Sequence, residues 1–141
     1  MTQRDLEALS DSDCLARLRA GRVGRFVYLD DLGPVAIPVN YAMVGNDILI
    51  RVEGGAKKVA AGQDCIAFEV DDLDHTERAG WSVVVRGIAS EVPLDRVPAL
   101  FREEGAASPA PWALGVHNVW IRIRPTLITG RRLADIGVLP V

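Results

Sequence analysis

The chain has 141 residues, and 16 Lys and Arg against 19 Asp and Glu leave a formal charge of −3 at pH 7. A pI near 5.3 argues against a general nucleic-acid binder, which carries a basic excess, and 49% hydrophobic with 25% charged residues describes a globule, not a disordered chain. Folding at this length buries roughly 70% of the unfolded surface, enough for one core without staples, and no stretch approaches the roughly 20 uninterrupted apolar residues of a membrane span.

The start, MTQRDLEALSDSD, lacks the basic and then apolar order of a secretory signal. The expectation is a soluble, cytoplasmic protein with one domain over 1–141. Ser10 followed by Asp13 resembles a capping box with a shorter acid, and the helix it opens places Cys14, Leu15 and Leu18 on one face. Gly21 is placed to end that helix. GRFVYLD (24–30) reads as a strand and DDLG as a turn. PVAIPVNYAMV (34–44) follows, reverses at Gly45-Asn46-Asp47 and returns as ILIRV (48–52). Pro34 and Pro38 cannot donate to a ladder, so their strand is expected at an edge or bulged near its middle.

KKVAAG is predicted as a short helical turn closed by Gly62. CIAFEVDD (65–72) and WSVVVRGIASEV (81–92) carry the strongest strand signals, with an acidic polar loop between them. Leu94 to Glu104 reads as a helix with Val97, Leu100 and Phe101 inward and Pro98 in its first turn. NVWIRIRP (118–125) alternates, with Val119, Ile121 and Ile123 on one face and Trp120, Arg122 and Arg124 on the other. Six strands with few helices predict a mainly β, antiparallel barrel, because the helices are too few to alternate with strands and closure hides sheet edges.

Several chemistries are excluded by motif. GxSxG, P-loop, GxGxxG and HExxH sequences are absent. Cys14, Cys65, His75 and His117 are too scattered for a structural zinc site, and the two cysteines read as buried free thiols. Asp71, Asp72, Asp74 and His75 lack the glycine turn and closing glutamate of a calcium loop, and read as solvated. His117 has no nucleophile beside it. That leaves ILIRVEGGAKK (48–58), where a strand empties into Arg51, Gly54, Gly55, Lys57 and Lys58. Glycines permit close backbone approach, and a helix start offers unpaired N–H groups, so the stretch suits a phosphate. A charged hairpin tip kept soluble by its cations is the other reading. Around PVNY (38–41), Pro34, Pro38 and Asn40 interrupt an apolar strand and leave backbone groups free to bond something other than a neighbouring strand, for which a flat heteroaromatic is one candidate.

The order GRVGRFVYLDDLGPVAIPVNYAMVGNDILIRVEGGAKK, CIAFEVDD, GWSVVVRGIASEV, PWALG and VWIRIRPTLITGRRL resembles the pyridoxamine 5′-phosphate oxidase-like, FMN-binding split-barrel family over about residues 10–133. Within it, the chain is similar to the small actinobacterial-type proteins and the nitroimidazole-resistance reductases. The resemblance implies a six-stranded split barrel working as a homodimer, with FMN in two interface clefts and a small-molecule substrate. It implies that Arg51 and Lys57, with Lys58 as a third, hold the phosphate, and that Pro38, Val39 and Asn40 run beside the isoalloxazine ring. Ser82 aligns with a polar flavin contact, and Trp112 and Arg131 lie in the region that reaches the flavin of the other subunit. For Trp112 and Trp120, flavin contact and interface packing both stand. The C-terminal Arg-x-His motif of the vitamin B6 oxidases is absent from TGRRLADIGVLPV, and the antibiotic reductases often have histidine where Arg51 stands. Neither activity therefore transfers directly. The expectation is an FMN-dependent oxidoreductase. An F420-dependent reductase and a flavin- or haem-binding carrier or sensor are the alternatives.

Overall fold

A computed structural model describes residues 6–53, 66–103 and 118–133. Its elements are β1 (Leu6–Ala8), α1 (Asp11–Ala20), β2 (Val23–Asp30), β3 (Gly33–Val44), β4 (Asp47–Glu53), β5 (Ile66–Asp74), β6 (Ala79–Val92), a 3₁₀ turn (Leu94–Arg96), α2 (Val97–Glu103) and β7 (Asn118–Leu133). The strands are antiparallel neighbours in the order β7, β4, β3, β2, β5, β6, and β6 returns to β7. That closure makes the six-stranded barrel expected from the sequence. The predicted turn at 57–62, Cys65 and His117 lie outside the described residues.

Local chemistry explains most of the boundaries. The Ser10 side chain accepts from the Asp13 N–H at 3.2 Å and caps α1. Gly21 ends the helix as expected, but its backbone is extended at φ −84°. Space is the reason for glycine there, because a Cβ would meet the Tyr41 hydroxyl. Tyr41 Oη donates to the Leu18 carbonyl at 2.6 Å and ties α1 to the barrel, while burial pushes its own ionisation up to about 12. Tyr41→Phe is expected to cost about 1 kcal/mol, read as a midpoint shift in urea with an unchanged slope.

Two elements extend beyond their sequence signals. β7 runs on to Leu133 instead of stopping at Pro125, because a bulge absorbs the break in alternation. Gly87 pairs with Pro125 and Arg86 with Leu127, leaving Thr126 as the extra residue, whose Oγ1 donates to the Arg86 carbonyl at 3.1 Å. The far end of β7 gains β1, a strand the sequence did not announce, through Ala8↔Arg131. β5 also runs two residues past the predicted strand: Asp71 and Asp72 lie in it as expected, and Asp74, expected in the loop, pairs with Ala79 of β6.

Alternation along the strands produces two cores. Inside the barrel lie Phe26, Ile48, Ile50, Phe68, Val83, Val85, Ile121 and Ile123, with Cys14 and Leu18 of α1 packed against them. Outside it, α2 lays Val97, Leu100 and Phe101 over Val44, Leu49, Val92 and Trp120. Pro98 sits in the first turn of α2, where no helical N–H is lost.

Candidate functional site

The edge of β3 is where sequence and geometry meet most closely. β3 pairs with β2 over residues 33–40, but its ladder with β4 starts only at Tyr41↔Ile50. Asp30 and Gly33 flank the two-residue turn, so theirs is a hydrogen-bonded pair and the pattern alternates from there. Tyr41, of the same parity as Gly33, donates its N–H to the Arg22 carbonyl at 3.0 Å. Pro34, Ala36, Pro38 and Asn40 therefore aim their backbone groups away from β2. Over residues 34–38 no strand among the described residues meets that edge, whereas at Asn40 the carbonyl accepts from the Arg51 N–H to close the Tyr41↔Ile50 step of the ladder. The two prolines lack N–H groups, which leaves carbonyl acceptors at Pro34, Ala36 and Pro38 with donors only at Ala36 and Asn40. Such an edge resists addition of another strand. It suits a planar heterocycle with its own donors and acceptors.

Arg51 stands beside this edge. Continuing the β3–β4 register one step past Tyr41↔Ile50 sets Asn40 opposite Arg51, and both side chains leave the outer face. On its other side Arg51 pairs with Trp120. Trp120 is 6% exposed, packs edge-to-face on Phe101 at 6.1 Å, and its indole N–H finds no acceptor among the described residues. It packs within its own chain, beneath α2, which neither earlier reading of Trp120 anticipated. Arg122, two residues on, pairs with Asp47 at 2.6 Å.

The other candidates fall in different places. Val39 points into the barrel and its backbone faces Gly24, so the edge is offered by Pro38 and Asn40 without it. Ser82 and Arg131 are cross-strand partners, near the opposite end of β7 from Trp120 and up to roughly 35 Å from it along the strand at ~3.3 Å per residue. Around the barrel the other way, Pro38, Arg25, Glu69 and Val84 form one row spanning roughly 14 Å at ~4.8 Å per strand. One chain thus gathers Pro38, Asn40 and Arg51, and separately Ser82 and Arg131. Lys57, Lys58 and Trp112 lie outside the described residues.

Between the two groups sits a cluster that the sequence reading missed. Arg25 Nη1 donates to Glu69 at 3.2 Å and to Asp71 at 2.8 Å on the outer face. The signal was present, because Glu69 and Asp71 are two apart in a strand and so share a face. Burial, then the hydrogen bond and charge of Asp71, push Glu69 from 4.5 up to about 7 against the opposing pull of Arg25. A carboxyl whose folded pKa is raised contributes stability that is full below about 4.5 and is lost as pH rises through about 7. Glu69→Gln is therefore expected to stabilise the fold above pH 7 by about 1 kcal/mol, allowing for solvent screening, and to do nothing near pH 4. Urea unfolding at both pH values checks this.

Among the described residues no group of three or more His, Cys, Asp or Glu could hold a metal ion. No described helix is long and apolar enough to cross a membrane. Comparison with known proteins gives a consistent result. The family model for pyridoxamine 5′-phosphate oxidase matches residues 10–132. An uncharacterised protein of Mycobacterium tuberculosis is 30% identical over 92% of this chain and 87% of its own length. The solved structure of an FAD-binding protein from Mycobacterium smegmatis matches with 29% identity and a TM-score of 0.65, over 91% of this chain and 98% of that one. An FAD-binding protein from Mesorhizobium loti, at 24% identity and a TM-score of 0.70 over 92% of this chain and 99% of that one, shares the fold.

Proposed function

The chain belongs to the pyridoxamine 5′-phosphate oxidase family, and from that premise we propose that it binds FMN as a homodimer and works as an oxidoreductase on a small molecule. The observation that carries the reading is the proline-interrupted edge of β3 beside Arg51. The residues present fit the cofactor. Ala36 and Asn40 N–H groups, with the Pro34, Ala36 and Pro38 carbonyls, complement the donor and acceptor edge of an isoalloxazine. Arg51, with Lys57 and Lys58 from the adjoining stretch, supplies cations for a phosphate. A relative at 29% identity that binds FAD supports a flavin in this fold.

Bound flavin would supply two-electron chemistry, accepting and passing on a hydride at its N5 atom. The chain's own contribution is binding, orientation and exclusion of water. The β3 edge would hold the ring by hydrogen bonds and Arg51 would hold the phosphate, while α2 closes the outer face over Trp120.

One observation supports pairing of two copies. The candidate residues divide into two groups, which a two-fold partner would bring together by setting its Ser82 and Arg131 against Arg51. Denaturing the purified protein and weighing the released ligand tests the assignment. FMN is the expected mass. Release of F420 or haem would replace the cofactor, and a colourless protein indifferent to added FMN would overturn the reading.

A further inference from the structure

We draw no further inference here: the strongest candidate, a cleft of about 420 Å³ between the first turns of α1, the β3–β4 turn and the bulge of β7, carries none, because its Asn46, Asp47 and Thr126 side chains are already engaged by Arg19, Arg122 and the Arg86 carbonyl and nothing in the structure shows what would fill it.

Discussion

Replacing Arg51 and Lys57 together with alanine is expected to raise the dissociation constant for FMN by roughly 10²–10⁴, with the barrel intact. Each residue would make a hydrogen bond between charged groups, contributing about 1.5–3 kcal/mol, and every 1.4 kcal/mol or so is a factor of ten. Exposed lysines and arginines at a hairpin tip would have no such effect, since surface ion pairs contribute about 0–1 kcal/mol. The size of the change therefore separates a phosphate seat from a solubilising tip. Arg51 is half-buried beside Trp120, so its stem also packs. Arg51→Met keeps that stem and removes the charge, which isolates the electrostatic part. Fluorescence quenching of FMN on titration gives the constants, and circular dichroism checks the fold. A change of less than about tenfold in the double variant would make these residues surface decoration, since the two bonds together should exceed that.

The second large effect belongs to packing. Trp120→Ala is expected to destabilise the protein by about 3–5 kcal/mol, because it opens a cavity between α2 and the barrel wall. Phe101, Leu100 and Val97 would lose their common partner. Trp120→Phe fills most of that volume and leaves no unpaired indole N–H behind. It should retain much of the stability and leave FMN affinity within about threefold, less than one ordinary hydrogen bond contributes. A folded Trp120→Phe variant that has lost FMN would instead make the indole N–H a cofactor contact. Thermal unfolding and flavin titration of both variants distinguish the outcomes.

Much of this architecture was legible in the sequence, and the reasons are local. Ser10 with Asp13 marked the start of α1, and Gly45, at φ +61°, marked the reversal between β3 and β4. The alternation of Ile121 and Ile123 with Arg122 and Arg124 fixed which side of β7 faces inward. Six apolar alternating runs with short turns left a closed antiparallel sheet as the arrangement that hides the edges. What escaped detection depended on partners distant in sequence. The second half of β7 follows a bulge at Thr126, which breaks the period that identifies a strand. β1 is held by an edge that only exists once β7 is in place. Leu73 and Asp74 looked like loop residues because polarity at the end of a hairpin resembles polarity in a turn.

The candidate site divides in the same way. Pro34 and Pro38 announced an edge or a bulge because a missing N–H is a property of the residue itself, and among the described residues both lie where β3 has one neighbour. Arg25, Glu69 and Asp71 were missed although their spacing was available, because which strand lies beside which decides whether an arginine meets two acids. Val39 was included by its neighbours in the sequence, yet a strand alternates and its side chain turns inward. Ser82 and Arg131 find one another within a chain but not Arg51. Under the pairing proposed above, a second copy would bring those groups together.

A crystal structure of the protein grown with FMN tests the flavin seat most directly. The isoalloxazine should lie against the Ala36–Asn40 edge, with backbone hydrogen bonds from Ala36 or Asn40 and the phosphate in contact with the Arg51 guanidinium. A flavin bound elsewhere, or an Arg51 corner filled by the protein's own side chains while FMN is in excess, would contradict it.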